Sequence, residues 1–332
     1  MRALVAVALC LSLCAAACAP RPLGDVMPAP VRPAATPAPE PTTVPATRRQ
    51  GPRVPVPWLV PTPRPAPTAV AASAVMPTLA GALDGVLPEP NPAYGLVLED
   101  LRSGARVGLN EGDVFPSASL YKLGLAWFAL RRVDSGVLSL DTPLSIEDED
   151  GVEPEPAGGV AIGDTPSVRE SVETMLSVSS NAAAHALLRT LGRPAFNDEM
   201  TRIGLSQTRV PADGDGDTTQ NEAFAVTTAA DMAHLLRLVA TSQQLSAPSR
   251  DLLLECLAGN GPPDALRDTL PDGVDVLDKT GNLEDASNVG ALLQSARGTA
   301  ILVVLDHGVD PGDARGVIAL AGEVAYESLL KP

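Results

Sequence analysis

Phe115-Pro-Ser-Ala-Ser-Leu-Tyr-Lys122 is the stretch on which the reading of this chain turns. It leads directly into Leu123, Leu125, Trp127, Phe128 and Leu130, an apolar helical run. Ser119 and Lys122 stand three apart at the start of that run, a spacing that places hydroxyl and amine on one face of a helix. A serine hydroxyl is a poor nucleophile at neutral pH and needs a neighbour able to take its proton; a desolvated lysine amine can do so, and an arginine cannot. The chain uses 21 Arg and only three Lys, yet Lys stands at 122 and at 279. Ser328-Leu-Leu-Lys331 has the same spacing, but its lysine is the penultimate residue of a surface helix, so that second match is read as chance.

Working outward, Ser179-Ser180-Asn181 follows 60 residues after Ser119, and Lys279-Thr280-Gly281 comes 100 residues later, expected at a strand end. Each piece has a plain structural reading of its own: Ser179 as a helix cap, Thr280-Gly281 as a strand-to-turn exit. Around them, Tyr94 to Leu101 reads as a strand, turning at Ser103-Gly104 into a second strand at Arg106 to Leu109. A short helix-like segment from about Thr78 to Leu87 precedes these strands. The region from Ser119 to about Leu257 is helical in its spacing, as in Leu187, Leu188, Leu191 and Met232, Leu235, Leu236, Val239. Strands return at 274–280, 288–294 and 299–306, and an amphipathic helix closes the chain from about Asp313 to Leu330. This order predicts an α/β (α+β) fold in which an antiparallel sheet, flanked by the terminal helices, carries an inserted all-helical subdomain, with a site between the two parts.

S-x-x-K, S-x-N and K-T-G in this order resemble the signature set of class A β-lactamases and penicillin-binding proteins, over residues from about 80 to 332. The resemblance implies that Ser119 attacks a carbonyl with Lys122 as its base or proton relay. It further implies that Ser179 passes a proton to the leaving nitrogen and Asn181 holds the substrate amide. Lys279 and Thr280 would bind a substrate carboxylate, and the backbone N–H groups of Ser119 and Asn282, after Gly281, would form the oxyanion hole. The substrate implied is a β-lactam or a peptidoglycan stem peptide, and a non-turning-over penicillin-binding sensor is a third possibility. No cofactor is expected.

Three departures from the family pattern stand out. The loop glutamate that class A enzymes use to activate the deacylating water has no counterpart. In Leu205 to Glu222 the acids are Asp213, Asp215, Asp217 and Glu222, and only Asp217 is followed by an Asn four residues on, which makes it the candidate general base. Ser180 stands where the family usually has Asp, and the strand after Gly281 has Asn288 but no Arg for a carboxylate. The Asp213-Gly-Asp-Gly-Asp217 run suggests calcium, but Thr218 and Phe224 break the EF-hand pattern, so a solvated loop and no metal are expected. His185, His234 and His307 form no H-E-x-x-H, and no G-x-S-x-G occurs, which removes zinc-hydrolase and α/β-hydrolase readings.

The first 17 residues read as a secretory leader: Arg2, an apolar run from Ala3 to Leu13, then Ala15 to Ala17 before Cys18. Cys18 stands where a lipobox cysteine would be lipidated, so the protein is expected outside the cytoplasm, tethered to a membrane by that anchor. More than half of the 33 prolines fall between Pro20 and Pro77, which marks 18–79 as an extended linker and 80–332 as the folded, monomeric domain. The 19–80 stretch holds six Arg against two acids, which leaves −20 for the rest of a chain of net charge −16. So acidic a body repels phosphates, and no nucleic-acid partner is expected. With Cys10 and Cys14 removed, Cys256 is left as a lone thiol in an apolar stretch.

Overall fold

Continuous apolar runs, buried on both faces, mark the strands at the centre of the fold. In the computed structural model β1 (Tyr94–Asp100), β2 (Arg106–Leu109), β5 (Asp275–Leu283), β6 (Ala286–Ser295) and β7 (Gly298–Asp306) form one sheet in the order β2-β1-β7-β6-β5, every neighbouring pair antiparallel. The first strands of the domain therefore pair with the last, Leu96 opposite Val304 and Leu98 opposite Leu302. The structure describes residue 81 and residues 93–151, 155–212, 225–259 and 265–332. The expected leader, Cys18, the linker, the domain boundary near 80, the 78–87 helix and Asp217 lie outside the described residues.

Each strand sends alternate residues to opposite faces, and both faces are covered. Leu96, Leu98, Ala291, Leu293, Ala300, Leu302 and Val304 join one core, sealed by α8 (Pro311–Ala325) and the π-turn Tyr326–Leu330 that follows it. Val97, Leu292, Ile301, Val303 and Leu305 join the other core, shared with α1 (Tyr121–Asp134) and α5 (Ala229–Thr241). Glu99 follows Val97 on this second face and accepts from Arg237 of α5 (2.8 Å), so the sheet meets the helices through an ion pair as well as through apolar packing. Truncating a single buried leucine in such a core costs about 2–5 kcal/mol.

Helix α1 is buried all round over its first ten residues, Tyr121 to Leu130, which suits a helix at the centre of a bundle rather than at its surface. Packed around it are α2 (Val168–Ser177), α3 (Asn181–Leu191), α4 (Arg193–Arg202), α5 and α6 (Ala247–Ala258). Two-residue strands β3 (Phe115–Pro116) and β4 (Val226–Thr227) pair at the seam between sheet and helices. No periodicity could announce strands this short. The short α7 (Ala265–Thr269) precedes β5 and ties Arg267 to Asp278 of that strand. Cys256 of α6 is buried, which pushes its thiol up to about 12 and leaves it inert. No helix among the described residues is long and apolar enough to cross a membrane.

Asp306, at the end of β7, is fully buried and accepts the Ser287 N–H through both oxygens at 3.1 Å. Burial outweighs that bond and, with Asp285 nearby, pushes its carboxyl up to about 7. A raised folded-state value means the protonated group favours folding, a contribution complete at acid pH and lost as pH rises toward and through 7. Asp306→Asn should therefore gain Tm relative to wild type as pH is raised from 4 to 8. Parallel Tm profiles in differential scanning calorimetry would contradict this account.

Candidate active site

Three segments of the fold bring the predicted residues together at the seam. Ser119 lies in a 3-10 turn (Ala118–Leu120) that runs into α1, and the helix N-terminus there has no side-chain cap. The helix dipole makes that end electropositive, a favourable place for negative charge to develop. Ala118 has φ 45°, a left-handed conformation that a non-glycine residue holds only when its surroundings over-determine it. Such strain immediately before the nucleophile is typical of a functional turn.

Lys122 is completely buried, one helical turn beyond Ser119. Its Nζ donates to Ser119 Oγ (3.0 Å), to the Ser179 carbonyl (3.0 Å) and to Asn181 Oδ1. Ser179 Oγ lies 3.4 Å from the same amine and donates to Ser119 Oγ at 3.0 Å. From the opposite side Lys279 Nζ donates to Ser179 Oγ (3.1 Å) and to the Thr280 carbonyl (2.7 Å). One hydroxyl thus touches the nucleophile and both lysines, and a proton can move along this cluster without leaving hydrogen-bond range. Lys331, by contrast, is exposed and bonds Glu327, so the second S-x-x-K match has no part in the site.

Ser179 is not a cap. Ser180 occupies the N-cap of α3 and accepts from the Ala183 N–H (3.2 Å), while Ser179 is held at φ 62° with its hydroxyl turned away from the helix. The K-T-G motif also differs from expectation: it lies inside β5, which continues to Leu283, rather than at the strand end, and β6 begins two residues before the expected 288. The pairing of Gly281 with Asn288 and of Leu283 with Ala286 extends the hairpin past the motif. Among the described residues β5 is the last strand of the sheet, so Lys279, Thr280 and Gly281 sit on an edge alongside which a substrate could add.

Gly281 sets how closely that edge approaches the nucleophile. A Cβ there would lie 2.9 Å from the Ser117 carbonyl oxygen and 3.0 Å from both Ala118 Cβ and Ser119 N. Only glycine admits the strand so near the turn, and Asn282, the residue after it, is exposed. Asn288 is buried within the protein, where it donates to the Pro116 carbonyl (2.8 Å) and accepts from the Asp306 N–H (2.9 Å), tying β6 and β7 to β3. At 1% exposed, its side chain is out of reach of a substrate carboxylate. Asp217, the predicted base, lies outside the described residues.

A carboxylate that the motifs do not contain stands at the N-terminus of α3. Glu155 accepts from the N–H groups of Asn181 (3.1 Å) and Ala182 (3.2 Å) and from Ser180 Oγ. Its only signal in the sequence was indirect, the missing Asp at 180.

A buried serine–lysine pair at a helix start, a second serine and lysine opposite, and a glycine-gated strand edge define a serine acyl-transfer hydrolase built between a sheet and a helical subdomain. Residues 78–329 match the beta-lactamase enzyme family, and the chain belongs to it. Its fold is similar to a beta lactamase from Xanthomonas campestris pv. campestris str. ATCC 33913 (TM-score 0.68, 29% identity, 77% of this chain and 98% of that one). It is also similar to an ancestral (GNCA) class A beta-lactamase, with TM-score 0.66 and 30% identity over 77% of this chain and all of the other. The beta-lactamase of Sphaerobacter thermophilus DSM 20745, 20% identical over 75% of this chain and 95% of that one (TM-score 0.66), shares the fold.

Gly281→Ala should leave the circular dichroism of the protein unchanged while slowing acylation by about 10- to 100-fold, since the added methyl displaces the strand from the Ser119 N–H. A variant that acylates at the wild-type rate would show that this approach is not needed.

Proposed function

We propose that this protein is an exported serine β-lactamase that opens β-lactams through an acyl-enzyme at Ser119. The observation that carries the reading is the meeting of Ser119 Oγ, Lys122 Nζ, Ser179 Oγ and Lys279 Nζ in one hydrogen-bonded cluster. Ser119 Oγ attacks the lactam carbonyl carbon and gives its proton to Lys122, which serves as base in its uncharged amine form. A new C–O bond forms as the carbonyl oxygen takes up charge between the N–H groups of Ser119 and Asn282. The C–N bond then breaks, and Ser179 delivers a proton to the departing nitrogen and recovers one from Lys122, so the proton lost by the nucleophile ends on the leaving group. Asn181 orients the substrate amide.

Lys279 and Thr280 bind the substrate carboxylate. Lys279 brings a positive charge to this cleft in a body that is otherwise acidic, which draws an anionic substrate to the place where it can react. Release of the acyl group needs a water and a base, and Asp217 is the proposed base. Lipidation of Cys18 and the Pro-rich stretch after it would hold the enzyme outside the cytoplasm, clear of a membrane surface.

Intact-mass spectrometry after addition of a penicillin tests the scheme. The wild type should gain the mass of the penicillin and lose it again as product accumulates, and Ser119→Ala should never gain it. An adduct on Ser119→Ala would place the nucleophile elsewhere. Asp217→Asn should prolong the adduct at least about tenfold, in the range a positioned base contributes; an unchanged lifetime would exclude Asp217 as that base. A wild-type adduct that never turns over would favour a peptidoglycan peptidase or a penicillin-binding sensor over a lactamase.

A further inference from the structure

We infer that Glu155 is a positioning residue for the acyl-transfer machinery: from the loop before α2 it fixes the Ser179–Asn181 turn, and through Asn181 it fixes Lys122. The inference rests on the acyl-enzyme reading above and extends it to a residue outside the three motifs.

The turn that carries Ser179 does not hold itself. Ser179 is left-handed at φ 62°, a conformation that costs a serine on the order of 1–3 kcal/mol and persists only where neighbours enforce it. On its N-terminal side the enforcement is backbone: the Ser180 N–H donates to the Thr174 carbonyl at 3.2 Å. On its C-terminal side it comes from Glu155. The first N–H groups of a helix have no partner within the helix. Here Glu155 takes those of Asn181 and Ala182 at 3.1 and 3.2 Å, and Ser180 Oγ takes that of Ala183 while donating its own proton to Glu155. One carboxylate thus closes the helix start and aligns the cap, at the helix end where negative charge is favoured.

The consequence reaches the nucleophile in two steps. Asn181 is gripped at its N–H by Glu155, and its side-chain oxygen accepts from Lys122 Nζ. Lys122 in turn donates to Ser119 Oγ at 3.0 Å. A shift of the turn therefore moves both Ser179 Oγ and the oxygen that anchors the lysine. The loop is shaped to admit the glutamate. Gly159 lies directly against it, so close that a Cβ at 159 would fall 2.3 Å from Glu155 Oε1. The Val160 N–H approaches Ser180 Oγ at 3.5 Å, adding a second, weaker link between the same loop and the turn.

Ser180 on its own is a short cap with no charge, and Glu155 supplies from 25 residues away the carboxylate that the turn lacks. A carboxylate supplied locally should replace it, because aspartate is as good an N-cap residue as serine. The test is rapid-quench intact-mass measurement of acylation by a penicillin in the full protein. It gives three readings: the limiting rate at saturation, the half-saturating concentration and the final fraction acylated. Glu155→Gln keeps the shape but turns an amide donor toward backbone N–H groups. It should lower the limiting rate by about 10- to 100-fold, as small misplacements of reacting groups do, with the half-saturating concentration and the final fraction unchanged. Adding Ser180→Asp to that variant should recover most of the rate.

A Glu155→Gln enzyme that acylates at the wild-type limiting rate overturns the proposal. So does one in which only the acylated fraction falls, since that is the mark of a merely structural glutamate. Failure of Ser180→Asp to recover any rate also counts against it. Should Glu155→Gln not fold, Glu155→Asp keeps the charge one methylene short and is read in the same way, an intermediate rate supporting the inference and a wild-type rate overturning it. A wild type that forms no adduct removes the acyl-enzyme reading and this inference together, whereas normal wild-type acylation beside an unaffected Glu155→Gln removes this inference alone.

Discussion

A lysine amine taken entirely out of water is the constraint around which this protein is organised. Burying an amine in a protein interior is costly unless oxygens of the protein replace its contacts with water. For Lys122 those oxygens come from Ser119 on its own helix and from Ser179 and Asn181 on the turn before α3. Satisfying the amine therefore docks α3 against α1, and the same contacts that make its burial tolerable are those that chemistry uses. Structure and reaction share one set of hydrogen bonds.

The remaining half of the site is brought in by the sheet. β5 is an edge strand, and the face of it that carries Leu277 into the helical core also carries Lys279 and Gly281 toward the nucleophile turn. Alternation along one strand thus couples core packing to placement of the second lysine, and a one-residue slip of register would send both to the wrong face. The pairing of β5 with β6 beyond the motif, down to Leu283 and Ala286, holds that register. Asn288, which accepts from the Asp306 N–H, ties β6 and β7 to Pro116 in the segment that precedes Ser119.

Much of this was legible before any coordinates. The apolar runs in 94–100 and 299–306 and the helical spacing in 229–241 are local patterns that burial enforces, and they foretold the elements closely. The three motifs named seven of the residues that meet at the seam. What escaped was of a different kind. The β3–β4 pair is too short for a period, the extension of β5 past Gly281 runs through polar Asn282, and Glu155 acts on residues 25 positions away through an interaction that leaves no spacing rule. Asn288, noted as a poor stand-in for an arginine, turned out to be a buried tie between strands.

By itself, then, the sequence determined which segments are strands and helices, that Ser119 and Lys122 share a helical face, and that the acyl-transfer motifs are present in order, because each of these follows from periodicity or short-range spacing. Only the tertiary structure decided that Ser179 rather than Ser180 faces the nucleophile, that Gly281 is needed to bring the strand edge to Ser119, and that a distant glutamate closes the catalytic turn. Those facts depend on which atoms from separate segments compete for one small volume and one set of hydrogen-bond partners, and that competition is settled only when the chain is packed.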